Sequence, residues 1–218
     1  MTVSVLSISA RGENEIAVTF EISQGELSDR ESFLLSAKAY ADLGISLGEC
    51  DTECYDRVAE AAELYRVVKK GLSLLSFSRC SKKALVRKLV LKGFSKESAA
   101  RAADELLLEG YIDEYADALR EAEIGVSKLW GENRIRASLY EKGYPDEAIS
   151  AAMYYLEDNG VDFSEICAER LERTADSIPD APKEKQKLVA SLMRYGFSTS
   201  QIRDAFREFS DKTKKAES

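Results

Sequence analysis

Leu85-Val-Arg-Lys-Leu89-Val-Leu-Lys-Gly93-Phe94-Ser95 recurs as Ile135-Arg-Ala-Ser-Leu139-Tyr-Glu-Lys-Gly143-Tyr144-Pro145 and again as Leu188-Val-Ala-Ser-Leu192-Met-Arg-Tyr-Gly196-Phe197-Ser198. The three glycines are separated by 50 and 53 residues. Apolar residues eight and four positions before each glycine fall on one face of a helix. The glycine can take the left-handed conformation that ends that helix, and the aromatic after it packs into the corner. Ser95, Pro145 or Ser198 then opens the next helix as a cap or first-turn residue.

Further matches extend the unit. Ala99, Ile149 and Ile202 stand six after the glycines, and Leu106, Leu156 and Phe209 stand thirteen after. Gly110 and Gly160 each follow a corner glycine by 17 residues, and a new helix begins after each, at Asp113 and Asp162. The spacing predicts a mainly α protein built from tandem three-helix repeats in an elongated arc. The boundaries expected are 63–110, 111–160 and 161–210, with a charged, frayed tail over 211–218. Ile178-Pro-Asp-Ala-Pro182 reads as a linker inside the third repeat. Asp113 is expected to cap the helix after it.

Residues 1–62 differ in kind. Val3, Val5, Leu6 and Ile8 form one apolar run, and Ile16, Val18, Phe20 and Ile22 alternate in a second. Arg11-Gly12-Glu13-Asn14 reads as the turn of a β-hairpin. From Ser28, the spacing of Phe33, Leu34, Ala37 and Tyr40 predicts a helix ending near Gly44.

Charge divides the chain at about the same place. Residues 1–60 carry four basic and twelve acidic side chains, which accounts for the whole net charge of -8. The remainder is balanced but not uniform. Residues 79–101 hold eight cations, among them Lys82, Lys83, Arg87 and Lys88, against the single Glu97. A second basic group, from Lys183 to Lys215, closes the chain. Such islands suit nucleic acid or an acidic protein surface, or are simply a solvated helix face.

The chain has no histidine, which removes Ser-His-Asp and Cys-His catalysis and any His metal ligand. Carboxylate, Lys or Tyr chemistry stays open, but no spaced pair stands out, and no catalytic residue is assigned. Cys50 and Cys54 are spaced for one helix face, while Cys80 and Cys167 have no cysteine neighbour, so free thiols and no metal are expected. No apolar run reaches the roughly 20 residues needed to span a bilayer, and the opening residues lack a signal-peptide pattern. A cytoplasmic protein without membrane attachment is expected.

The repeat pattern resembles the RecX family, the bacterial regulators of the RecA recombinase. The residues that carry the likeness begin with Arg79-Cys-Ser-Lys-Lys-Ala-Leu85, Leu89 and Lys92-Gly-Phe94. Gly110-Tyr-Ile-Asp113 with Tyr115-Ala116 follows, then Gly131, Arg134-Ile135, Leu139 and Lys142-Gly-Tyr144, and finally Leu192, Arg194 and Gly196-Phe197. The likeness runs from about residue 62 to 209. It implies a helical arc lying in the groove of the RecA–DNA filament, restraining filament growth, ATP turnover and strand exchange in DNA repair and the SOS response. It also implies no catalytic centre; no cofactor is assigned, and a monomer is expected. Family members are often basic, whereas this chain is acidic, which favours docking on protein over direct DNA contact.

On that resemblance the partner contacts expected are Lys82, Lys83, Arg87, Lys88, Arg134 and Arg136. Arg134 is placed on an exposed face. Arg136 occupies the apolar position that Val86 and Val189 fill in the other repeats, so it must be paired locally or face a partner. Tyr111, Phe94, Tyr144, Phe197 and Trp130 are expected to pack in the core. The alternative is a helical module acting directly on DNA, since paired helices with a tight corner also suit helix-turn-helix binding.

Overall fold

A computed structural model of the protein describes residues 2–25, 27–175 and 177–216, with the side chains of 213–216 excluded. It divides into two compact units, residues 1–78 with 85–111, and residues 79–84 with 112–218.

The first unit opens with strands β1 (Thr2–Ala10) and β2 (Glu15–Gln24), the expected hairpin. Leu6 is squeezed out of register by an irregularity between Val5 and Ser7, which explains two adjacent apolar residues in an alternating strand. The helix expected from Ser28 is instead a third strand, β3 (Leu27–Ser36), antiparallel to β2 along its whole length. The reason lies across the sheet. The edge of β2 not paired to β1 offers main-chain N–H and C=O groups, and β3 takes them up while placing Phe33 opposite Val18 and Leu35 opposite Ile16. Helix α1 (Ala37–Leu43) starts only where Ser36 caps it, its hydroxyl accepting the Ala39 N–H at 3.1 Å. A short β4 (Gly48–Cys50) joins β1, giving the order β3-β2-β1-β4.

Helix α2 (Thr52–Phe77) covers one face of this sheet, where Val3, Val5, Val18, Phe20, Leu35 and Val58 form a core. Phe20, Phe33 and Tyr55 meet edge to face with ring centroids 5.2–5.8 Å apart. The helix runs through residue 62, so the front segment and the first repeat share it. Cys50 lies in β4 and Cys54 in α2, so they do not share a helix face, and all four cysteines are free thiols. Helices α3 (Lys82–Leu91) and α4 (Lys96–Leu108) complete the first repeat. Gly71 lets α4 approach α2, since a methyl there would lie 2.6 Å from the Leu106 Cδ1.

The second unit holds α5 (Glu114–Ser127), α6 (Glu132–Lys142) and α7 (Asp146–Asp158), then α8 (Phe163–Thr174), α9 (Pro182–Arg194) and α10 (Thr199–Ala216). Ile135, Leu139, Tyr144 and Leu156 centre one core, and Leu171, Leu192, Phe197 and Ile202 centre the next. Asp113 caps α5 as expected, accepting the Ala116 N–H at 3.0 Å. Pro182 does not belong to the linker but opens α9. α10 continues past the expected boundary at residue 211, because Lys212 bridges Glu172 and Glu208 at 2.9 and 2.8 Å. Glu217 and Ser218 of the expected tail lie outside the described residues. Among the described residues no helix is long and apolar enough to cross a membrane.

The corners form as the glycines require. Gly93, Gly143 and Gly196 have φ of +94°, +87° and +93°, and the residue after each donates its N–H to the carbonyl five back. Tyr144 and Phe197 are buried, whereas Phe94 is half-buried beneath the Arg66 guanidinium, 5.2 Å from its ring centroid. Tyr111 departs from expectation: it is 56% exposed, and the adjacent Ile112 is the residue buried after the Gly110 corner.

Candidate partner-binding surface

Within the second unit, successive repeats are locked by one recurring joint. The first turn of α6 sits on the α9–α10 corner, with Gly131 N–H donating to the Tyr195 carbonyl at 2.8 Å and Asn133 N–H to Gly196 at 3.2 Å. The corner thereby satisfies N–H groups that a helix N-terminus leaves without partners. Gly131 and Gly196 meet so closely that a methyl on either would overlap the other segment's backbone. The same joint recurs at residues 79–84. There the Ser81 hydroxyl donates to the Lys142 carbonyl at 2.7 Å and accepts from Ala84 N–H at 3.1 Å, beside Gly143. Ser81 and Gly131 each stand twelve residues before their corner glycine, a position at which only a small residue admits the neighbouring corner. The third repeat carries the exposed Glu184 there.

This joint fixes the expected contact residues in different ways. Arg134 is not free on an exposed face. It is half-buried, with its guanidinium 4.5 Å from the Trp130 ring centroid and 4.8 Å from that of Tyr195. The Arg170 guanidinium also lies over Tyr195, 3.3 Å from the ring centroid, and the Lys128 ammonium over Trp130 at 5.3 Å. These stacked cations and rings hold the joint together, and Trp130 also packs on the core of the second repeat. Arg136 is paired locally, its Nε 2.8 Å from Glu132 one helical turn away. It borders a cleft of about 570 Å³ with Tyr154, Glu157 and Gln201.

The basic island at residues 79–101 is partly committed too. Arg79 reaches the buried Asp117 at 3.3 Å, and Arg101 pairs with Glu60. Lys82 is half-buried, and its backbone N–H donates to Glu114 at 2.9 Å. Lys83 is exposed, with its ammonium 5.9 Å from the ring centroid of Tyr140, itself 65% exposed. Lys83 forms no ion pair among the described residues.

In the first unit, Arg87 is exposed and Lys88 half-buried, and neither forms an ion pair among the described residues. At 100° per residue, Leu91 falls between them on α3 and is 85% exposed. An uncovered leucine flanked by two unpaired cations, with Lys92 beyond, has the composition of an anchor for a partner that is apolar at its centre and acidic at its rim. The sequence pattern missed Leu91 because it lies outside the stripe of Leu85, Val86, Leu89 and Val90. Its only signal was that same exclusion, an apolar residue on the charged side of an amphipathic helix.

No family model matches the chain. Among characterised proteins it is similar to Regulatory protein RecX of Xanthomonas axonopodis pv. citri, with 32% identity over 140 residues, 64% of this chain and 85% of the relative. Regulatory protein RecX of Xanthomonas campestris pv. campestris is 33% identical over 141 residues, with the same coverage of both chains. Among solved structures, one of regulatory protein RecX superposes with a TM-score of 0.70 at 19% identity, covering 93% of this chain and 99% of that one. A crystal structure of RecX from Lactobacillus salivarius gives a TM-score of 0.59 at 20% identity, covering 68% of this chain and 97% of that one.

Proposed function

The chain belongs to the RecX family of regulatory proteins, and from that premise we propose that it binds the RecA recombinase filament on DNA and restrains its ATPase and strand exchange. Besides membership of the family, the observation that carries this reading is the state of α3. Arg79 and Arg101, at the ends of the basic island, are held in ion pairs, while among the described residues Lys83, Arg87 and Lys88 form none, and Arg87 and Lys88 flank the exposed Leu91. A cation that is not neutralised by a neighbouring carboxylate keeps its attraction for an acidic surface. Of the six contacts expected, Lys83, Arg87 and Lys88 are the ones this reading assigns to the partner, with Lys82 beside them. Arg134 acts through the joint it stacks in, and Arg136 is held by Glu132.

The reading makes the protein a regulator without a reaction of its own, acting in the cytoplasm in DNA repair and the SOS response. The acidic residues 1–60 lower its attraction for bare DNA, leaving protein contact to supply affinity. The test is binding of the full chain to RecA filaments on single-stranded DNA. The Lys83→Glu, Arg87→Glu double variant is expected to bind at least about tenfold more weakly, equivalent to about 1.4 kcal/mol, with an unchanged circular dichroism spectrum. Equal binding by the variant would remove α3 from the contact.

A second reading, direct action on nucleic acid, draws on the exposed Tyr140 with Lys83 above it, an aromatic and a cation placed as base-stacking surfaces place them. It predicts binding to RecA-free single-stranded DNA that weakens steeply with salt and is lost on Tyr140→Ala.

A further inference from the structure

The first unit contains a cleft of about 660 Å³ that the regulatory reading does not use. One side is formed by Ser32, Phe33 and Leu34 of β3. Side chains alternate between the faces of a strand, so three consecutive residues border one cleft where it runs along the strand's edge. β3 is the outermost strand of the sheet, paired only to β2 among the described residues, so every second residue turns its N–H and C=O outward without a strand to receive them.

The opposite side is one face of α2, from Ala59 to Ser73. That span is roughly 21 Å at the helical rise, enough for about six residues of extended chain. It changes character along its length. Ala59 and Ala62 make an apolar stretch of the lining together with Phe33 and Leu34, and the later turns bring Arg66, Lys69 and Lys70, with Phe94 also lining the cleft. Arg66 is paired with Glu63 at 2.7 Å, and Lys69 with Glu15, both on exposed, exchangeable terms. Lys70 forms no ion pair among the described residues. The wall therefore carries three cations against the single Glu63.

We propose that this cleft is a docking site for an extended acidic peptide that adds to the edge of β3 as a fifth strand. The outward main-chain groups of β3 supply a ladder for any extended chain, which is the general logic of strand addition. Specificity comes from the α2 wall: small apolar side chains at Phe33, Leu34, Ala59 and Ala62, then carboxylates beside Lys70 and Arg66. A nucleic acid fits less well, because half the wall is apolar and a phosphate chain cannot continue the ladder. This inference is independent of the α3 contact, since none of Lys83, Arg87, Lys88 and Leu91 lines the cleft.

The test uses the full chain and a fluorescein-labelled probe, acetyl-Thr-Val-Ile-Val-Asp-Glu-Asp-amide, read by fluorescence anisotropy. Three comparison probes are a version with Lys in place of the acidic residues, a version N-methylated at alternate amides, and a single-stranded oligothymidylate. Saturable binding of the acidic probe is expected, at least about tenfold weaker for both altered peptides. Lys70→Glu should weaken the acidic probe by a similar factor while leaving the circular dichroism spectrum intact. Failure of the acidic probe to saturate at millimolar concentration would overturn the proposal. So would equal binding of the N-methylated peptide, or Lys70-dependent binding of the oligothymidylate alone.

Discussion

At Gly131 and Gly196 two backbone segments meet with no space for a Cβ on either side, and each glycine is held by a main-chain hydrogen bond to the other segment. Gly131→Ala must separate them. It is expected to cost on the order of 3 kcal/mol, read as a lower urea midpoint, and to alter Trp130 fluorescence because Trp130 belongs to the same joint. Gly93 has the same backbone conformation but open space around its Cβ position. Gly93→Ala should therefore cost only the left-handed strain, about 1 kcal/mol. Equal losses for the two substitutions would contradict the joint. All three corner glycines were legible from spacing alone, because a helix stop is a local event. The role of Gly131 was not, since its partner lies 65 residues further along the chain. Arg134 failed for the same reason: helical periodicity gives the side of its own helix, but Tyr195 comes from another repeat.

Among the elements, β3 shows where local pattern yields to tertiary demand. Phe33, Leu34, Ala37 and Tyr40 fit a helix, yet the open side of β2 recruits Leu27–Ser36 as a strand and leaves only Ala37–Leu43 helical. Short apolar runs do not carry enough periodicity to decide between the two. The long repeats α3 to α10 do, which is why their order and turns were readable. The sheet is tied to α2 by two phenols, Tyr55 donating to Glu31 and Tyr65 donating to Glu15, the latter at 2.8 Å. Both phenols are pushed up to about 12, Tyr55 first by the hydrogen bond to Glu31 and Tyr65 first by burial. The folded state thus prefers the protonated phenol more than the unfolded chain does, whose tyrosines titrate at about 10. Their contribution is complete below about pH 10 and is lost as pH rises towards about 12. Urea midpoints should fall over that interval, and fall less steeply in the Tyr55→Phe, Tyr65→Phe variant. Identical alkaline slopes for the two proteins would show that these phenols do not link the sheet to the helix.

On the scale of the whole molecule, charge and architecture are laid out separately. All of the net charge of -8 resides in residues 1–60, while the helical repeats are balanced overall and strongly basic over 79–101. That division was plain in the sequence, as was the local pair open to Arg136. Which other cations remain available was not, because Arg79, Arg101 and Arg134 are engaged by Asp117, Glu60 and Tyr195, which come from distant parts of the chain. The curated relatives account for 64% of the chain, and a solved RecX structure follows the fold over 93% of it. A regulator of this build should act on RecA in proportion to filament occupancy rather than to DNA concentration. The most direct measurement is RecA ATP hydrolysis on saturating single-stranded DNA, titrated with the full chain at fixed RecA. The account predicts a rate that falls progressively at substoichiometric amounts, with the Lys83→Glu, Arg87→Glu variant shifted to at least about tenfold higher concentration. A rate unchanged up to equimolar protein would contradict it.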